Sequence, residues 1–273
     1  MNQRTVFFVS DQTGITAETL GRSLLTQFES VKFRQVTLPF INTVDKAREA
    51  VRKINLTAQV EGRRPVVFST LVQEDLLAIL KESEGLYLDF IDTFLSPLER
   101  EFGIKSTHTS GRAHGAADSP MYAARIEAIN FTLASDDGLN TQNYDNADVI
   151  LVGISRTGKT PTCLYLALQY GIYAANYPLI EEELESGNLP GPVQGYTDKL
   201  YALTIDPERL RQMRHERRPN SKYSSIQQVT YELREAEKLF KKHGLVFTNT
   251  THSSIEEIAS HVLSEQSIER RVH

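Results

Sequence analysis

DVILVGISRTGKTPTCLYLALQYG, residues 148–171, is the stretch that decides the fold. Val149 to Val152 form a short unbroken apolar run, as expected of a strand buried on both faces of a parallel sheet. Gly153 to Thr160 match G-x-x-x-x-G-K-[ST] without departure, and TPTCLYLALQY continues with helical spacing at Leu164 and Leu168 up to Gly171. Strand, glycine-bounded loop and helix in that order are the context in which this pattern cradles phosphate. The glycines let the backbone curl so that successive N–H groups and the helix N-terminus meet phosphate oxygens. Lys159 adds a positive charge for the terminal phosphate, and the Thr160 hydroxyl is suited to bind magnesium. The nucleotide-binding set is therefore Gly153, Ile154, Ser155, Arg156, Thr157, Gly158, Lys159 and Thr160. Pro161 is tolerated because first-turn N–H groups have no helical partner.

Outward from this unit, apolar runs alternate with helical stripes, the pattern of an α/β protein with a mostly parallel sheet. Upstream strands are expected at Val6–Val9, around Val36 and Leu38, and at Val66–Phe68. Ala17, Leu20, Leu24 and Phe28 stripe a helix opened by Thr16, and Val44, Ala47, Val51, Ile54 and Ala58 stripe a second. Residues 76–102 read as mostly helical with breaks at Gly85 and Pro97, and residues 103–120 read as a long loop. Pro120 opens a helix whose buried face is Tyr122, Ile126, Ile129 and Leu133. The polar segment 138–146 is the expected boundary, giving an N-terminal βα-alternating domain over 1–140 and a C-terminal P-loop kinase-like domain over 141–273. In the latter, strands are expected near 149–152, 172–175, 200–205 and 245–248. Ile226 to Phe240 stripe a helix ending at Gly244, and Ser254 with Glu257 forms a capping box for the last one.

A phosphate loop works with a carboxylate that holds magnesium. Asp206, closing LTID, is the first candidate, although Asp206-Pro207 is also an ideal helix cap. Asp11, ending the first strand, is the second candidate for a catalytic role, against a plain turn residue. Arg209, Arg211, Arg214, Arg217 and Arg218 crowd residues 208–219, and Arg209, Arg217 and Arg218 are the phosphate-binding candidates, against a solvated basic helix. ESGNLPGPVQG, 185–195, suits a lid hinge or a surface loop. His114 is a candidate base or phosphate ligand, against a surface histidine.

Thirty Lys and Arg against 35 Asp and Glu give a net charge of −5 over 273 residues, which argues against a general nucleic-acid binder. The single cysteine, Cys163, excludes an intrachain disulfide framework and fits a reducing cytoplasm. No apolar run reaches the roughly 18 residues of a membrane-spanning helix, and the N-terminus does not read as a signal peptide.

The combination SDQTGITAETLG (10–21), DDG (136–138), VGISRTGKTPTCLYLA (152–167), LTIDPERL (203–210), ERRPNSKYSS (216–225) and SIEEIA (254–259) resembles the bacterial phosphoenolpyruvate synthase regulatory proteins over nearly the whole chain. These are grouped with the regulators of pyruvate, phosphate dikinase. The sequence departs from the family pattern at Ser135 and Gln12. The resemblance implies a bifunctional serine/threonine kinase and phosphorylase. It would use ADP to phosphorylate a threonine of phosphoenolpyruvate synthase, switching it off, and inorganic phosphate to remove that group as pyrophosphate. ADP binding carries over to Gly153–Thr160, magnesium is the expected cofactor through Thr160 and Asp206, and a homodimer is plausible. TGITAE points to the synthase as target over the dikinase. A small-molecule P-loop kinase using ATP is the alternative reading of the loop.

Overall fold

The computed structural model describes residues 3–109 and 120–272. The chain divides into two compact units, Met1–His114 and Gly115–His273. In the first, β1 (Gln3–Val9), α1 (Ile15–Leu25), β2 (Lys32–Leu38), α2 (Val44–Glu61), β3 (Val66–Ser69), α3 (Glu74–Lys81), β4 (Leu86–Asp89) and α4 (Phe90–Phe102) build a parallel sheet of order β2-β1-β3-β4. The three upstream strands fall where apolar runs place them. β4 is an addition within a segment read as mostly helical: Gly85 ends the helical stretch, and a Cβ there would lie 2.6 Å from Val67 Cγ2.

α1 is turned relative to the expected stripe. Its buried residues are Ala17, Gly21 and Leu25, while Leu20, Leu24 and Phe28 are exposed. Gly21 sets this facing, because a Cβ there would sit 2.4 Å from the Phe8 ring and 2.8 Å from Phe68. Only a residue without a side chain lets the helix lie flat on those rings. The helix also opens at Gly14, held at φ 85°, and not at Thr16. α2 buries Ala47, Ala50 and Ile54.

The second unit comprises α5 (Pro120–Ala134), β5 (Val149–Gly153), α6 (Lys159–Tyr170), β6 (Ala174–Pro178), α7 (Glu181–Ser186), α8 (Gly191–Gln194), β7 (Leu200–Thr204), α9 (Pro207–Arg217), α10 (Ile226–Lys242), β8 (Phe247–Asn249) and α11 (Ile255–Glu265). Its sheet has the order β6-β5-β7-β8, again all parallel. All five residues of β5 are buried, because α6 and α11 cover one face of the sheet while α9 and α10 cover the other. The expected α/β architecture with parallel sheets is thus what the chain adopts.

α5 belongs to this unit, so the division falls before the expected boundary at 140. It is tied there by Phe131 stacked on Tyr173 at 5.0 Å and by the Tyr173 hydroxyl donating to Glu127. Its buried residues are Ala128 and Thr132, whereas Tyr122, Ile126 and Leu133 of the expected face are exposed. The glycine- and proline-rich stretch 185–195 is no loose hinge, since Leu189 and Val193 are buried in the core. Among the described residues, no helix is long and apolar enough to cross a membrane.

Candidate functional site

In an open parallel sheet, ligands bind beyond the carboxyl ends of the strands, where the strand order reverses. In the second unit that point lies between β5 and β7, and the loop Ile154–Gly158 leaves β5 there. A Cβ on Gly153 would fall 2.6 Å from the Leu203 carbonyl on β7, so the loop departs through a gap that only glycine passes. Gly158, at φ 94°, caps α6 in the left-handed region. Gly153→Ala is expected to lower the unfolding free energy by about 1–3 kcal/mol, read from urea denaturation, because the clash is with backbone and cannot be relieved by a rotamer change.

The loop is braced from within. Thr157 Oγ1 donates to the Ile154 carbonyl at 3.0 Å, and the Thr250 hydroxyl donates to the Thr157 carbonyl at 3.2 Å. The Lys159 ammonium also donates to the Ile154 carbonyl, at 3.0 Å. Lys159 is 5% exposed, and burial pulls its pKa down to about 8, with Asp137, Cys163 and Asp136 opposing that fall. A buried ammonium with few partners is costly unless an anion joins it. Cys163 is also fully buried, its thiol pKa pushed up by desolvation, which leaves it as a packing residue.

Beside the loop stands a pair of adjacent carboxylates, Asp136 and Asp137, that the sequence did not mark as candidates. Asp136 Oδ1 accepts from the Thr160 hydroxyl at 2.8 Å and from Asn176 Nδ2 at 2.5 Å. Asn176, fully buried on β6, also takes the Asp137 N–H on its Oδ1 at 3.1 Å. That bond holds Asp137 at φ 49°, an uncommon conformation for a non-glycine residue. A cavity of about 170 Å³ is lined by Asp137, Ser155, Arg156, Gly158, Lys159, Thr160, Pro161, Met213 and Arg217. It is smaller than the roughly 300–1,000 Å³ of pockets that enclose a drug-sized ligand.

The expected site residues separate on this geometry. Of the expected nucleotide-binding set, Ser155, Arg156, Gly158, Lys159 and Thr160 line the cavity, whereas Gly153 ends β5 and Ile154 and Thr157 are buried outside its lining; Arg217 reaches the cavity from α9. Asp206 does not line it. This exposed residue caps α9, its Oδ1 accepting from the N–H groups of Glu208 at 2.9 Å and Arg209 at 3.4 Å. Asp206→Ala is expected to cost about 1 kcal/mol of stability, as for other lost caps, and to leave the magnesium titration of activity unchanged. Arg209 and Arg218 are exposed outside the cavity lining, and Arg214 is buried in an ion pair with Glu232 at 2.7 Å. Asp11 lies in the first unit, 5% exposed at the end of β1, with Oδ2 lacking a hydrogen-bond partner. His114 lies outside the described residues. The adjacent Asp136 and Asp137 were visible in the sequence only as part of the DDG motif; no spacing rule links them to Thr160, which Asp136 meets directly, or to Asn176 on β6, which both meet.

Thr160 and the two carboxylates offer the hard oxygen donors that magnesium prefers. Among the described residues, no group of three or more His, Cys, Asp or Glu side chains is placed to hold a metal alone.

The family model described as Kinase/pyrophosphorylase matches residues 6–263. Proteins named "Putative phosphoenolpyruvate synthase regulatory protein" are similar over nearly the full length. One from Ectopseudomonas mendocina (strain ymp) is 52% identical over 270 residues, covering 99% of each chain. Another from Janthinobacterium sp. (strain Marseille) is 56% identical over 262 residues, covering 96% of this chain and 93% of its own. A third, from Pseudomonas aeruginosa (strain LESB58), is 52% identical over 269 residues and 98% of each chain. With a family model matched over residues 6–263 and relatives 52–56% identical over nearly their full length, the chain belongs to the kinase/pyrophosphorylase family.

Proposed function

We propose that this protein is a bifunctional serine/threonine kinase and phosphorylase that regulates phosphoenolpyruvate synthase, using ADP in the inactivating direction and inorganic phosphate in the activating one. The observation that carries the reading is the convergence of Lys159, Thr160, Asp137 and Arg217 on one small cavity, with Asp136 hydrogen-bonded to Thr160. The names of the relatives support the synthase as target.

In the kinase direction the loop amides and Lys159 hold the β-phosphoryl group of ADP. The acceptor threonine oxygen forms a bond to that phosphorus, the bond to the bridging oxygen breaks, and AMP leaves. Asp137, which faces the cavity, takes the threonine proton. Arg217 and Lys159 balance the charge that builds on the transferred group. In the reverse direction hydrogenphosphate gives its proton to Asp137 as its oxygen attacks the phosphothreonine phosphorus, and pyrophosphate forms as the bond to the threonine oxygen breaks and that oxygen takes the proton from Asp137. Two anions then share the site, so both cations are required at once. Thr160 and Asp136 would hold magnesium, whose chemistry here is charge neutralisation on the phosphate oxygens.

The test combines the protein with ADP, magnesium and histidine-phosphorylated phosphoenolpyruvate synthase. Phosphothreonine and AMP are expected to appear in equal amounts. Their joint absence with a competent acceptor, or turnover of ATP without any protein acceptor, overturns the proposal.

A further inference from the structure

Ser155, the second residue of the phosphate loop, is grasped at two atoms by residues far away in sequence. Its carbonyl accepts from Arg214 Nη2 at 3.2 Å, and its hydroxyl shares a hydrogen bond with the Tyr223 hydroxyl at 2.9 Å. These two partners are fixed to each other. Arg214 Nη1 donates to the Tyr223 carbonyl at 3.2 Å, and the guanidinium lies 4.3 Å from the centre of the Tyr223 ring. Glu232 on α10 completes the group, accepting from Arg214 Nη2 at 2.7 Å and from Gln228 at 2.9 Å. Arg214 is 1% exposed.

A buried ion pair is an expensive way to fill space, and apolar side chains of similar volume do so at least as well. What apolar side chains cannot do is orient a peptide plane. No peptide bond of the described chain is cis, so the Ser155 carbonyl and the Arg156 N–H point in opposite directions. With the carbonyl drawn to Arg214, the Arg156 N–H is directed away from that guanidinium. Among the described residues no acceptor takes this N–H. The plane is not at rest by itself, because Arg156 has φ 78°, in the left-handed region that a non-glycine residue seldom occupies. Ser155 and Arg156 both line the small cavity, whereas Arg214 and Tyr223 stay behind it.

We infer that Arg214 and Tyr223, backed by Glu232, are positioning residues that hold the Ser155–Arg156 peptide in the orientation presenting its N–H to a phosphate oxygen of a nucleoside diphosphate. The inference rests on the function proposed above for its ligand, but not for the state of the ligand-free loop. It gives the ERRPNSKYSS motif a role: α9 and the turn Lys222–Ser224 set the loop while Arg217, on the same helix, faces the cavity.

Tyr223→Phe keeps the ring and deletes one bond. It is expected to raise the Michaelis constant for ADP about fivefold, the scale of one lost hydrogen bond. Turnover at saturating ADP should stay within about twofold and the thermal midpoint should not move. In the ligand-free protein, amide exchange at residues 155–158 should quicken. Ser155→Ala should quicken the same loop exchange as Tyr223→Phe does, and the double variant should quicken it no more than either alone, since both delete the same bond. Arg214→Lys should not rescue, because one ammonium cannot span the Ser155 and Tyr223 carbonyls as the planar fork does. Unchanged loop exchange and unchanged ADP kinetics in Tyr223→Phe overturn the inference, as does strict additivity with Ser155→Ala. Faster exchange in Tyr223→Phe, in a protein whose wild type binds no ADP, supports the clamp and removes the proposed function instead.

Discussion

Lys159→Met is expected to lower turnover by about 10³-fold in both the kinase and the phosphorylase direction, near 4 kcal/mol of transition-state stabilisation. Methionine retains the buried stem and removes only the ammonium that meets the transferred group. The same substitution should make the ligand-free protein more stable at pH 7, because a charge held at 5% exposure no longer has to be desolvated. Proton linkage separates this from a packing effect. In the folded chain burial pulls the lysine down to about 8, from the 10.5 of an exposed lysine. Between those pH values the unfolded chain carries the proton and the folded one does not, so wild-type stability should rise with pH across that window. The methionine variant should lack this rise. A bound diphosphate favours the charged lysine, so ADP affinity should be level below pH 7 and fall as pH climbs past 8, with proton uptake seen calorimetrically. An ADP affinity independent of pH from 7 to 9.5 would show that the ammonium does not meet the phosphate.

Asp137→Asn should have the next largest effect, a fall of about 10²–10³-fold in turnover. ADP affinity should hold or improve, since a negative charge beside the phosphates is removed. The amide leaves the Asp137 N–H and its bond to Asn176 in place, so the loss is one of charge and proton acceptance. Asp136→Ala tests the neighbouring role. It deletes the acceptor of the Thr160 and Asn176 bonds and should raise the magnesium concentration needed for half-maximal turnover. A kcat/KM unchanged in Asp137→Asn would return the proton-acceptor role to another residue.

The chain itself determined a good deal of this protein. Unbroken apolar runs such as Val149–Val152 announce strands buried on both faces, and G-x-x-x-x-G-K-T announces a turn between strand and helix, because both are read from neighbours within a few residues. The Asp206-Pro207 pair is equally local, and its capping geometry follows from the same short-range rules.

What tertiary structure decided depends on partners distant in sequence. A helical stripe gives a period but not the angle at which it meets a sheet. For α1 that angle is set by Phe8 and Phe68 crowding Gly21, and for α5 by Tyr173. Asp136 accepts from Thr160, 24 residues on along the chain, and from Asn176, 40 residues on, and Arg214 reaches Ser155 across 59. Carboxylates and guanidinium groups carry no sign in the sequence of whether they face water, an ion or a loop carbonyl. Only the closing of the second sheet around β5 brought them to the phosphate loop, since burial leaves a polar group stable only where a partner of the right geometry already stands.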